Sequence, residues 1–339
     1  MDDNRIGYMD TFRGLCVCWI IWIHTSHPTF LDYPLHLPAL FLISGCFFRP
    51  YPWPIFWRKK VNQLVIPFCF FYLLYYVFLI ALNLLKYHVV SPEILTSVWD
   101  VFRPFSFNDG YLVNYPLWFI VALLILQFST FGLVHIIKNR WLLLSIAIAL
   151  SLVGSIYLRK IPLYFMMGRA LSYFVYFMFG AVFGKNLMRW FEQNGKSGFL
   201  ITAVLFASSF FILRFVSSEI LRLLLRYVNF LSAACILALA CYFMHFYQIA
   251  PVLDFVGRNA LVVFGLHDMY LTICRILTQT VVGEMNNLLG FLNLLFVLLL
   301  MWPSILLLNK NLPHMVGKQA VFALPKPNGE KNGIYNVVQ

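Results

Sequence analysis

Apolar runs of about twenty residues, the length needed to cross a hydrocarbon core of roughly 30 Å, recur along this whole 339-residue chain. Charged residues make up only 11% of it, against about 25% in soluble domains, so no water-soluble globule could bury these runs. Inside lipid every backbone polar group must be paired within the protein, which leaves helices or a closed barrel. A barrel needs short segments that alternate polar and apolar side chains, and residues 117–131 and 288–308 show no alternation. The chain therefore reads as an all-α integral membrane protein of about ten transmembrane helices. The expected spans are 13–31, 35–49, 64–86, 116–137, 141–158, 162–184, 198–216, 223–247, 257–281 and 288–308. The second is short and flanked by Pro38 and Gly45, which fits a tilted or re-entrant segment.

An even number of spans puts both ends on one side. With that side cytoplasmic, Arg49, Arg58, Lys59, Lys60, Lys138, Arg140, Lys185, Arg189, Lys196, Arg258 and Lys310 fall inside. Only Lys86, Arg103, Arg159, Lys160 and Arg222 fall outside. The same asymmetry accounts for the formal charge of +12 by attraction to anionic membrane lipid, so nucleic acid is not an expected partner. Residues 1–312 form one transmembrane domain in this reading. Residues 313–339, with Pro313, Pro325, Pro327 and Gly329 and no apolar period, form a short mobile cytoplasmic tail. The polar, acidic start of the chain lacks the features of a cleaved signal. The outer connection around residues 87–115 mixes Trp99, Phe102, Phe105 and Phe107 with Asp100, Arg103, Asn108 and Asp109, which suits either an interfacial belt or a lid. All seven cysteines lie in apolar segments without metal-ligand spacing, and no metal is expected.

Ionisable groups within a span are costly, so each calls for a reason. Asp10, Arg13, His24 and His27 all fall in or near the first span. Arg13 and His24 are eleven residues apart, three turns plus about 20°, so both lie on one strip of the helix, separated by roughly 16 Å. A guanidinium near the cytosol offers a planar fork of donors suited to phosphate. A deep imidazole can take a proton near neutral pH. Asp10, three residues before Arg13, is placed to orient it. The plainer alternatives are that Arg13 reaches to the interface and that His24 bonds a neighbouring helix. Basic residues Arg58, Lys59 and Lys60 are equally open to a topological or a phosphate-binding role.

Several motifs in sequence order carry a resemblance. Tyr8-Met-Asp-Thr-Phe-Arg13-Gly-Leu followed by His24, the segment Pro38-Ala-Leu-Phe-Leu-Ile-Ser44-Gly45, the basic stretch Arg58-Lys59-Lys60 leading to Pro67, Leu117-Trp118-Phe119 and Gly257-Arg-Asn259 through His267 together resemble acyltransferase family 3. Members of that family are integral membrane enzymes, and this chain is most similar to the compact O-acetylase branch that lacks an extracellular esterase-like domain. Gln63 and Ala260 depart from the pattern, at a basic and a serine position respectively.

The resemblance implies transfer of an acetyl or other short acyl group from cytosolic acetyl-CoA or another acyl-CoA to a hydroxyl. The acceptor it implies is a cell-surface carbohydrate or its lipid-linked precursor, in a bacterial inner membrane. His24 is then the catalytic group, as general base or acyl carrier, and Arg13, Arg58, Lys59 and Lys60 bind the donor. Asp10, Ser44, Trp118 and His267 are supporting candidates, although Ser44 also suits helix packing, Trp118 an interfacial anchor and His267 a packed histidine. Arg169, between Gly168 and Ala170, is placed to line a polar cavity. A transporter or flippase for a sugar or lipid-linked sugar is the rival reading, since intramembrane cations also line permeation paths.

Overall fold

The computed structural model describes residues 6–25, 34–106, 113–281 and 287–325. The chain is built almost wholly of helices: α1 Gly7–Thr25, α2 His36–Cys46, α3 Trp53–Tyr87, α4 Trp118–Ile136, α5 Arg140–Ile156, α6 Phe174–Ile212, α7 Glu219–Phe246, α8 Pro251–Arg258, α9 Ala260–Val281 and α10 Asn287–Asn311. Among the described residues, six helices are long and apolar enough to cross a membrane. Their surfaces match that solvent. On α10, Val297, Met301 and Ile305 are buried along one face, while Leu292, Leu295, Leu299 and Leu306 are exposed on the others. Exposed leucines of this density are stable only against lipid.

Three expected spans are divided or merged differently in the structure, and α1 and α3 begin earlier than expected, at Gly7 and Trp53. Residues 162–184 do not form one helix: Leu163–Tyr164 pairs antiparallel with Pro104–Phe105, the short helix Met167–Ser172 follows, and α6 begins only at Phe174. The spans expected at 162–184 and 198–216 instead share α6, which bends at Asn194 where the backbone leaves the helical region (φ −131°, ψ 37°). The expected span at 257–281 is divided at Asn259, and α8 is a separate eight-residue helix. At eleven residues, α2 is about 16 Å long, half of a hydrocarbon core.

Close backbone approach sets the packing. A Cβ on Gly45 of α2 would lie 2.0 Å from the Phe177 carbonyl oxygen of α6, and one on Gly180 would lie 2.2 Å from that of Leu42. The same device seats α8 against α1, where Gly14 meets Leu253 and Gly257 meets Asp10. Thr11 on α1 also donates a hydrogen bond to the Asp254 carboxylate of α8, which in turn meets His245 Nδ1 of α7 at 3.1 Å. Packed by α2, α7, α8, α9 and α10, α1 is the central helix.

A π-helical turn at Val61–Val65 interrupts α3 and carries Asn62, which grips the end of the described chain. Its Nδ2 donates to Phe322 O at 2.9 Å, and its Oδ1 accepts from Val321 N at 3.0 Å and Phe322 N at 2.9 Å. Where composition points to a mobile tail, the first part of it is therefore strapped onto α3.

Candidate functional site

His24 sits in the last turn of α1, and Arg275 of α9 fixes that end by donating from Nη2 to the His24 carbonyl oxygen at 2.7 Å. A cation at the carbonyl end of a helix is favourable both as a hydrogen bond and against the helix dipole. The His24 side chain lines a cavity of about 260 Å³ with His36, Tyr115, Trp118, Arg169 and Tyr173, closed by apolar groups such as Ile20, Ile23 and Phe264. The walls come from the end of α1, the start of α2, the start of α4 and the turn before α6. They all meet at one end of the bundle.

Each wall has a local cause. Arg169 is 5% exposed. It is carried by the short helix Met167–Ser172, which starts directly after Phe165 and Met166, two residues in left-handed conformation (φ 56° and 57°). Such a pair is strained for bulky side chains and is retained where surrounding structure fixes it. Ser151 of α5 anchors the end of the short helix that follows, donating to Leu171 O at 3.0 Å and accepting from Val175 N at 2.9 Å. Arg169 Nη2 then donates to the Tyr115 hydroxyl at 2.8 Å, and the guanidinium lies 4.9 Å from the Trp118 ring centre. Tyr115 is placed by its neighbour Asn114, which adopts a left-handed conformation (φ 51°), is fully buried and donates from Nδ2 to Gly265 O of α9 at 2.8 Å. The end of the connection between α3 and α4 thus dips into the bundle.

His267 of α9 is fully buried, with its ring centre 5.6 Å from that of His24. Its Nδ1 is 2.9 Å from Phe264 O. A carbonyl only accepts, so Nδ1 carries the proton and Nε2 presents a lone pair. That Nε2 has no hydrogen-bond partner among the described residues, and neither has the buried Nδ1 of His36. Buried polar atoms left without partners are rare and call for an explanation. Here two of them lie beside His24 in or next to one cavity.

The opposite end of the bundle holds the remaining predicted residues. Arg13 Nη1 pairs with Asp10 Oδ1 at 3.2 Å, and its guanidinium stands 5.7 Å from the Phe47 ring centre. Arg58 donates to Ala323 O of the tail at 2.9 Å, and Lys59 Nζ lies 3.8 Å from the centre of the Tyr51 ring. Burial raises the Tyr51 phenol, yet the charges of Lys59 and Arg49 outweigh it and bring the net below its ordinary value. Lys60 is buried against Phe56. Ser44 is half-buried beside Gly45 at the α2–α6 crossing.

The structure therefore places His24 and Trp118 in the lining of one cavity, with His267 buried beside His24, and places Arg13, Asp10, Arg58, Lys59 and Lys60 away from its walls. His27 lies outside the described residues. Asn114, Tyr115 and His36 are additions that sequence reasoning did not reach. Among the described residues no group of three or more His, Cys, Asp and Glu side chains is placed to hold a metal ion.

Comparison with known proteins decides the family. The family model described as an acyltransferase domain, Acyl_transf_3, matches residues 6–308. The chain belongs to acyltransferase family 3. It is accordingly a membrane acyltransferase, and its motifs from Tyr8 to His267 lie within the matched region. Neither the curated proteins nor the solved structures give a match.

Proposed function

We propose that this acyltransferase moves an acetyl or other short acyl group from cytosolic acetyl-CoA, or a related acyl-CoA, to a hydroxyl of a cell-surface carbohydrate or its lipid-linked precursor. The observation that carries this reading is the small, mainly apolar cavity at His24, with three imidazoles and a buried guanidinium in or next to it. At about 260 Å³ it falls just below the roughly 300–1,000 Å³ usual for ligand pockets, which favours a short acyl group over a long chain. In this reading both termini are cytoplasmic. The chain makes ten crossings, with α6 counted twice across its bend and α8 lying along the cytoplasmic end, in a bacterial inner membrane.

His24 takes the proton from the acceptor hydroxyl as the oxygen attacks the thioester carbonyl. The tetrahedral intermediate collapses with loss of the coenzyme A thiolate, which takes up that proton, leaving an ester and a free thiol. His267, whose ring centre lies 5.6 Å from that of His24, packs beside the imidazole and limits its orientation. Arg13, oriented by Asp10, and the basic stretch of Arg58, Lys59 and Lys60 hold the phosphates of the donor.

The test uses purified protein in liposomes with radiolabelled acetyl-CoA and a glycan and glycolipid extract of the parent membrane as acceptor. His24→Ala is expected to reduce label transfer by about 10²–10⁴-fold. Transfer that survives in the variant removes His24 from the mechanism. Sugar flux without label transfer returns the transporter reading.

A further inference from the structure

A second, larger cavity opens at the same end of the bundle, with a volume of about 790 Å³. It collects the start of α2, the end of α5, both ends of α6 and the start of α7. Its charged lining is three arginines, Arg159, Arg222 and Arg226, against one carboxylate, Glu219. Charge in a walled cleft concentrates the field, and ligands of opposite sign are drawn to it. The start of α7 adds the positive end of a 28-residue helix dipole. Arg222 is held in a fixed orientation, since Nε and Nη2 both donate to Val216 O, at 3.3 and 2.7 Å. Tyr227, 6% exposed, lines the cavity together with Ser155.

Tyr173 links the two cavities, because it lines both this one and the His24 cavity. On its far side stands the buried Arg169. Cationic groups thus continue from the larger cavity to the imidazoles, with the Tyr173 ring in the wall of both.

We propose that the larger cavity binds the acyl acceptor through an oxyanion, a phosphate or a carboxylate, so that the acceptor is acidic and its neighbouring hydroxyl reaches past Tyr173 to His24. This inference rests on the acyl-transfer reading above and names the acceptor class for it. The anion can belong to a soluble glycan or to the phosphate of a membrane-anchored carrier, and the same guanidiniums serve either.

The test uses the full chain in phosphatidylcholine nanodiscs and equilibrium dialysis with radiolabelled glucose 1-phosphate, with glucose as the uncharged control. Saturable binding of the phosphate alone is expected. Arg226→Gln and Arg222→Gln each weaken it roughly ten- to hundredfold, as loss of a charge-assisted hydrogen bond does. Tyr227→Phe, which removes the hydroxyl and keeps the ring, weakens it severalfold. Displacement of glucose 1-phosphate by a polyprenyl phosphate in the nanodisc supports the proposal and assigns the anchored source. Equal binding in wild type and the arginine variants overturns it, and so does equal binding of the uncharged glucose. Label transfer in liposomes without any anion binding sinks this inference and leaves acyl transfer standing. Arginine-dependent binding in a protein that transfers no label identifies acyl transfer as the part that failed, and the cavity is then not an acceptor site.

Discussion

Asn62→Ala removes three hydrogen bonds at once, because one amide side chain accepts from Val321 N and Phe322 N and donates to Phe322 O, all within 3.0 Å. A net bond contributes about 0.5–1.5 kcal/mol, so the three total roughly 1.5–4.5 kcal/mol. Val321 and Phe322 are themselves exposed, and water takes up their amides when the strap lifts. The lower part of the range therefore applies, about 2 kcal/mol, or roughly thirtyfold in the opening equilibrium. Amide hydrogen exchange of Val321 and Phe322 reads this directly, and proteolysis within residues 318–324 should accelerate by the same factor where opening is fast relative to cleavage. Arg58, which donates to Ala323 O, would be released together with the strap. Unchanged protection of the two amides in the variant would falsify the assignment of Asn62 as the clasp.

Two other perturbations probe the scaffold and the cavity. Gly45→Leu puts a side chain where even a Cβ would lie 2.0 Å from the Phe177 carbonyl; because the obstacle is backbone, the cost belongs at the top of the usual 1–3 kcal/mol for overpacking or above it. A thiol-reactive dye melt in detergent should show a clearly lowered transition, and an unchanged one would mean that α2 and α6 are not locked at this crossing. Arg169→Lys keeps the charge but loses the planar fork that reaches Tyr115. Acyl transfer should show a raised acceptor KM with the donor KM unaltered, and a change confined to the donor KM would contradict the placement of Arg169 on the acceptor side.

The first helix was open to sequence reasoning because helical periodicity is local: eleven residues fix the angle between Arg13 and His24 wherever the helix lies. Arg169 was also within reach, since a cation flanked by Gly168 and Ala170 in an apolar segment has few reasons to exist. His36, Asn114 and Tyr115 carried no such signal. They stand at helix starts or in a connection, and only long-range contacts such as Asn114 to Gly265 bring them to the cavity. The bent α6 misled for a different reason. Glu192, Asn194 and Lys196 resemble a loop between two spans, yet the helix runs through them with a change of direction at Asn194 alone. Likewise, the glycines that bring α2 and α6 together mark close approach in sequence without naming the partner.

A last prediction concerns how the donor reaches His24. The cavity extends along α1 only as far as Ile20, and between Ile20 and Arg13 the helix is closed: Cys16 is 0% and Val17 is 2% exposed. Seven residues at about 1.5 Å each leave roughly 10 Å of packed helix between the two polar groups. A thioester presented from the Arg13 end therefore has to part α1 from a neighbour. That neighbour is not α8, which is held by the Gly14 and Gly257 contacts and by the Thr11 to Asp254 hydrogen bond. Opening along the remaining faces of α1 would uncover thiols, so acetyl-CoA is expected to raise the rate at which membrane-permeant N-ethylmaleimide labels Cys16, and Arg13→Gln is expected to abolish the increase. Mass spectrometry of the labelled peptide gives the rate. If donor leaves Cys16 as protected as before while acyl transfer proceeds, the thioester travels by a route other than the strip that joins Arg13 to His24.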